Sequence, residues 1–85
     1  MIITALRNEE IFKTYKIGKS IFENGFRILV DNPLYNKKNQ AVIGNDGNTE
    51  RLFETRELAA EFVFSQIDKY MKIGKVDKYT VQYKN

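Results

Sequence analysis

The clearest pattern in the chain is a stripe of apolar residues at helical spacing in its second half, and it predicts a helix over Arg56–Ile73. Thr55 supplies a hydroxyl that can cap the first free amides of this helix, and Gly74 can end it in a left-handed conformation. The apolar residues that we expect to face inward are Leu58, Ala59, Phe62, Val63, Ile67, Tyr70 and Met71.

Alternating apolar and polar residues predict strands on both sides of the helix. After it, Val76–Tyr83 alternates tyrosine or valine with polar residues, which is typical of a strand with one buried face. Before it, Phe26–Val30 follows Asn24-Gly25, a strong hairpin signal. The partner strand of that hairpin is expected within Thr14–Phe22.

The sequence also predicts a second hairpin, a long loop and one segment of ambiguous structure. Ala41–Gly44 and Thr49–Glu54 flank Asn45-Asp46-Gly47-Asn48 and predict a second hairpin, while Asp31–Asn39 is expected to be the longest loop. The stretch Asn8–Phe22 reads as a strand or as a ragged helix. Its central Gly18 and its β-branched and aromatic residues favour the strand, preceded by at most one short helical turn, over the ragged helix.

Together these elements predict an α+β fold. A mostly antiparallel sheet of four to six strands carries the long helix on one face and receives a C-terminal strand. With 85 residues, the whole chain (1–85) forms a single domain.

The composition argues against most enzymes, because the chain contains no histidine and no cysteine. Disulfides, thiol nucleophiles, imidazole bases and zinc-ribbon sites are therefore excluded, and we expect no catalytic residue, metal or cofactor. Asp46 and Glu50 bracket a turn that could hold calcium, but the segment lacks an EF-hand pattern and is better explained as a tight turn. Gly18-Lys19-Ser20 matches only the tail of a phosphate-binding loop.

The charge is mildly basic, at +3 with an isoelectric point near 9.2, and lysine outnumbers arginine. Lys69, Lys72, Lys75 and Lys78 form either a helix-stabilising cluster or a ridge that binds acidic partners. No segment has the length or pattern of a membrane span or secretory signal, so a cytoplasmic location is the default expectation.

The run Phe26–Val63 is similar to the arm-type DNA-binding domains of phage and transposon integrases. The resemblance is carried by Phe53, Thr55 and Ala59 at the entry to the helix and by the two hairpin signals before it. It implies a three-stranded sheet that presents side chains to the DNA major groove, with Arg27, Lys37, Lys38 and Arg51 as the nucleic-acid-binding candidates.

The heptapeptide Lys13–Lys19 resembles the start of a small phage-derived anti-CRISPR protein that covers the HNH nuclease site of a type II-C Cas9. This resemblance implies a compact, non-enzymatic protein of a mobile element. Its partner would be a host protein such as a nuclease, and it would act by covering a surface of that partner.

The sequence therefore predicts a non-catalytic protein-binding module, and a DNA-binding accessory domain is the alternative. Contact is expected at the outward face of the closing strand and at the loop near residues 34–40. The partner-binding candidates are Tyr35, Lys37, Lys38, Lys78, Thr80 and Gln82. An exposed sheet edge also makes a homodimer a possible assembly.

Overall fold

In the computed structural model, which describes residues 1–83, five strands form one antiparallel sheet and a single long helix crosses one of its faces. The elements are β1 (Ile2–Arg7), β2 (Glu10–Lys19), β3 (Phe26–Asn32), β4 (Lys37–Ala41), α1 (Arg56–Lys72) and β5 (Lys78–Gln82). The strand order is β4-β3-β2-β1-β5. The predicted α+β class, the antiparallel sheet and the C-terminal strand are confirmed.

Most of the stretch Asn8–Phe22 forms strand β2, so the helical alternative is wrong, and residues 20–22 lie in the loop that follows. β2 lies in the middle of the sheet, where it pairs with β1 on one side and with β3 on the other. A register shift between Ala5 and Leu6 interrupts the first of these ladders. This irregularity disturbs the two-residue period of β2 and explains why its sequence also fitted a ragged helix.

The predicted helix is confirmed, and its first and last turns are built as expected. The Thr55 hydroxyl accepts a 3.1 Å hydrogen bond from the Leu58 amide, and Gly74 follows the helix with a φ of +75°. The inward stripe is narrower than the sequence indicated, because Leu58 and Met71 are 44% and 37% exposed. The buried helix residues are Ala59, Ala60, Val63 and Ile67.

The core lies between α1 and the sheet face beneath it. Its largest fully buried side chains are Ile3, Ile17, Ile28, Val63 and Ile67, contributed by three strands and the helix. Burial of one such side chain stabilises the fold by about 1.5–3 kcal/mol. Among residues 1–83 no charged residue is buried, and Tyr15 is the buried residue that carries a hydroxyl.

The connections differ most from the sequence prediction. The first hairpin has no two-residue turn, because residues 20–25 form a longer loop between β2 and β3. The expected loop Asp31–Asn39 is wrong at both ends, because β3 includes Asp31 and Asn32 and β4 includes residues 37–39. Pro33–Tyr35 is a short 3₁₀ turn, and β4 begins at Lys37. β4 consists largely of lysine, asparagine and glutamine, which are weak strand formers, and it is held at the sheet edge by backbone pairing with β3.

The second predicted hairpin is present, but it lies outside the five-stranded sheet and is held by isolated bridges. Ile43 pairs with Glu50 across its tip, and Phe53 then returns to pair with Phe26 of β3. The closing strand is confirmed but shorter than predicted, and β5 pairs with β1 at the other edge of the sheet. Among residues 1–83, no helix is long and apolar enough to cross a membrane.

Candidate functional site

Within residues 1–83, the one long helix packs on one face of the sheet, and we call the opposite face the open face. In an antiparallel ladder, directly paired residues point to the same side, so the register assigns the side chains. The open face carries Ile2, Thr4 and Leu6 of β1, Thr14 and Lys16 of β2, Arg27, Leu29 and Asp31 of β3, and Lys78, Thr80 and Gln82 of β5. It combines aliphatic, small polar and charged side chains on one surface.

An ion pair occupies the middle of the open face. The Lys16 ammonium lies 2.9 Å from the Asp31 carboxylate and donates a 2.6 Å hydrogen bond to Asn39 Oδ1. Asp31 also accepts a 2.8 Å hydrogen bond from the Asn39 amide, which together with Lys16 holds the pKa of Asp31 below its ordinary value. These contacts tie β2, β3 and β4 together and leave the middle of the face without net charge.

The candidates Lys78, Thr80 and Gln82 are brought together by the structure, since all three lie on the open face along the edge strand β5. Lys78 is not a free cation. Its ammonium lies 2.6 Å from Glu9 Oε1, and this contact raises the pKa of Lys78. Thr80 and Gln82 are exposed and extend the uncharged part of the face to its edge.

The candidates Tyr35, Lys37 and Lys38 lie at the opposite edge, on the 3₁₀ turn and on β4. Three strands separate β4 from β5, so the two groups stand roughly 19 Å apart at the usual strand spacing. Lys37 and Lys38 border a depression of about 230 Å³ that also includes residues of the open face. The six partner candidates therefore flank one face at both edges and do not form a single cluster.

Large apolar side chains protrude from the loops at both ends of the sheet. At the end where β2 meets β3, Ile21 and Phe22 are 77% and 81% exposed, and Ile43 protrudes beside them from the second hairpin. At the other end, Leu34 and Tyr35 of the 3₁₀ turn are 73% and 69% exposed. Sequence reasoning placed Phe22 in a strand and so missed the first group. Its one available signal was an apolar pair directly before a turn.

The Ile21–Phe22 loop is fixed to the neighbouring hairpin. Ser20 Oγ donates a 2.6 Å hydrogen bond to the Glu50 carboxylate and accepts hydrogen bonds from the amides of Phe22 and Glu23. The hydrogen bond between Ser20 and Glu50 joins this loop to the second hairpin, and a depression of about 460 Å³ lies between the two.

The four nucleic-acid candidates do not share a face. Arg27 lies on the open face, where it donates a 3.1 Å hydrogen bond to the Lys19 carbonyl. The Arg51 guanidinium instead lies 4.8 Å from the ring centroid of Phe62, a residue of α1, and so belongs to the helix side of the sheet. The expectation that Arg51 joins Arg27 in one basic surface is therefore wrong, because stacking on aromatic rings holds it on the other side.

The acidic turn at residues 45–48 is explained by its own hydrogen bonds. The Asp46 carboxylate accepts from the Asn48 amide and from both the amide and the hydroxyl of Thr49. These bonds, led by the one from the hydroxyl, lower the pKa of Asp46 to about 2. Within residues 1–83, no group of acidic side chains is placed to hold a metal ion.

The lysines at the end of the helix do not form one ridge. Lys72 pairs with Asp68 on α1 at 3.1 Å, whereas Lys78 turns to the open face and pairs with Glu9. This arrangement fits local stabilisation of the helix end better than a continuous binding surface.

The chain was also compared with protein-family models, with curated proteins and with solved structures, and none of the three comparisons found a match.

Proposed function

We propose that this protein is a non-catalytic protein-binding module whose open face docks against a partner protein. The observation that carries the proposal is a flat sheet face left uncovered by the helix and bordered at both ends by exposed apolar loops. Exposed apolar surface rimmed by polar groups is typical of protein–protein contact.

The chemistry of the open face supports a protein partner. Of the three cations assigned to it, Lys16 and Lys78 are paired with Asp31 and Glu9, and within residues 1–83 Arg27 has no carboxylate partner. Its aliphatic and threonine side chains can be buried without leaving a charge unpaired, a requirement of a desolvated interface core. Tyr35 at the rim suits the same role, because tyrosine supplies contact area at low entropic cost.

The mode of action that follows is steric. A sheet face of this kind contributes no reactive group but can cover a functional surface of its partner, as expected for a phage-type inhibitor of a host enzyme. The resemblance of Lys13–Lys19 to the inhibitor of a type II-C Cas9 names that nuclease as the first partner to test.

The decisive experiment compares two matched variants in capture of a partner. Thr80→Arg places a large cation on the open face, and Ser65→Arg places the same side chain on an exposed position of α1. We expect wild type and Ser65→Arg to recover the partner in equal amounts, and Thr80→Arg to lose at least about tenfold in affinity, which corresponds to 1.4 kcal/mol.

Equal binding by both variants, or equal loss in both, would contradict docking through the open face. Failure of the wild-type protein to retain any stoichiometric partner, the Cas9 included, would contradict the protein-binding function itself. Circular dichroism of both variants checks that each is folded.

A further inference from the structure

A cluster of three phenylalanine rings lies on the helix side of the sheet, at the end where α1 begins. Phe26 and Phe53 are direct cross-strand partners, because each amide donates to the other's carbonyl at 2.8 and 2.9 Å. The Phe53 ring lies 5.5 Å from the ring of Phe62 on the helix. We call these three residues the ring cluster.

Two arginines lie on the ring cluster. The Arg51 guanidinium is 5.1 Å from the centroid of Phe53 and 4.8 Å from that of Phe62. The Arg56 guanidinium is 5.6 Å from the centroid of Phe26. Since Phe26 and Phe53 are neighbours, the two guanidinium groups are held over adjacent rings, and we call Arg51 and Arg56 the guanidinium pair.

Within residues 1–83, no carboxylate forms an ion pair with the guanidinium pair. In residues 1–83, every ion pair uses a lysine, and neither Arg51 nor Arg56 takes part in one. Both arginines are exposed. A ring over the face of a guanidinium restricts its rotation while leaving its N–H donors free at the edge, which lowers the entropy lost when an oxyanion binds.

We infer that the guanidinium pair is a binding site for carboxylate side chains of an acidic peptide segment on a protein partner. Planar guanidinium groups bind carboxylates through two parallel hydrogen bonds, so the site matches aspartate or glutamate in shape as well as in charge. The rings beneath the pair shield it on one side and strengthen the attraction.

The surrounding charges favour isolated carboxylates over a nucleic-acid backbone. Glu50, Glu54 and Glu57 flank the two arginines along the chain and outnumber them. A duplex carries phosphates at short, regular intervals, and its backbone would be pressed against these glutamates. A peptide can place one or two carboxylates on the arginines and keep the rest of its chain away.

This site is independent of the proposed docking face, because the ring cluster lies on the side of the sheet that α1 covers. A partner that occupies the open face therefore leaves the guanidinium pair accessible. The two proposals can fail separately.

The test uses a fluorescein-labelled Gly/Ser peptide with two central glutamates as the probe, with binding followed by fluorescence anisotropy and by NMR of the arginine Nε–H groups. The double variant Arg51→Gln/Arg56→Gln removes the site. The matched control Lys69→Gln/Lys75→Gln removes the same charge from exposed positions near the far end of α1. Arg51→Lys/Arg56→Lys keeps the charge and removes the planar donors.

We expect the Gln variant of the arginines to lose about tenfold or more in affinity, because a hydrogen bond to a charged group contributes about 1.5–3 kcal/mol. The Lys variant should lose most of the same affinity. The lysine control should lose less than about twofold, as screened surface charges contribute little.

Three results would overturn the inference: no shift of the Arg51 and Arg56 signals in the wild-type protein, equal losses in the arginine variant and the lysine control, or displacement of the peptide by duplex DNA at the same residues. Because the NMR measurement uses wild-type protein, it decides the question even where a variant is unfolded.

Discussion

Three aspartates of this protein accept hydrogen bonds from backbone amides and so hold loops and strand ends in place. Asp31 binds the Asn39 amide of β4, Asp46 binds two amides of its own turn, and Asp77 accepts a 2.8 Å hydrogen bond from the Asn8 amide. The bonds to Asp31 and Asp46 lower the pKa of each carboxyl group, so the ionised forms of these two residues stabilise the fold.

Asp46 permits a test of that interpretation through pH. Its folded-state pKa of about 2 lies below the ordinary 3.8, so its contribution to stability is present above the ordinary pKa and is lost as pH falls through about 2. We expect urea unfolding to show Asp46→Asn less stable than wild type at neutral pH, with the difference shrinking over that window. Glu61→Gln, which removes one exposed carboxylate from α1, should show no such convergence. A difference for Asp46→Asn that stays constant down to pH 2 would contradict this role.

Two glycines should respond to alanine in opposite directions. Gly74 has a φ of +75° and open space around the position of a Cβ, so Gly74→Ala should cost about 1–2 kcal/mol through backbone conformation alone. Gly18 lies in extended β2 with equally open space, so Gly18→Ala should stabilise by about 0.4–1 kcal/mol. Urea midpoints of the two variants measure both effects, and a shift of equal sign would refute the distinction.

At the scale of elements, the helix could be predicted from sequence because its apolar spacing, its cap and its final glycine all agree. β1 and β4 could not. β1 is paired on both sides and half-buried on its open face, so Ile2, Ile3 and Leu6 do not alternate cleanly with polar residues. The polar sequence of β4 gives no strand signal, because backbone pairing at an edge requires little from its side chains.

The cap of α1 should have a measurable energy. Thr55→Ala removes the hydroxyl that accepts from the Leu58 amide, so we expect a loss of about 1 kcal/mol in the free energy of unfolding. In a domain of this size, that loss lowers Tm by roughly 4–8 °C. Thr55→Ser keeps the acceptor and should retain most of the stability. Ser65→Ala, at an exposed position of α1, measures the effect of removing a hydroxyl that does not cap the helix. Equal Tm values for Thr55→Ala and Thr55→Ser would show that the hydroxyl does not stabilise the helix.

At the scale of the whole molecule, the sites depend on strand order, which the sequence did not supply. The candidate residues of β5 join the open face only because β5 pairs with β1, and those of β4 border its far edge only because β4 pairs with β3. The position of Arg51 depends on a contact with Phe62 of the helix. Charge composition could suggest a basic surface, but only the tertiary arrangement shows that the cations divide between two faces.

The division of cations between two faces predicts that DNA binding is weak and depends only slightly on salt concentration. With Lys16 and Lys78 paired to carboxylates and Arg51 on the helix side, Arg27, Lys37 and Lys38 remain to contact phosphates from the open face and its edge. The logarithm of the binding constant falls with the logarithm of salt concentration by about 0.9 per phosphate contact, so we expect a slope no steeper than about −3. Fluorescence anisotropy of a labelled duplex, measured between roughly 50 and 200 mM salt, gives this slope. Arg27→Gln should reduce it by about 1, whereas Ser65→Arg should leave it unchanged. A slope of about −6 or steeper would require more phosphate contacts than this face can make, and it would favour the DNA-binding alternative over protein docking.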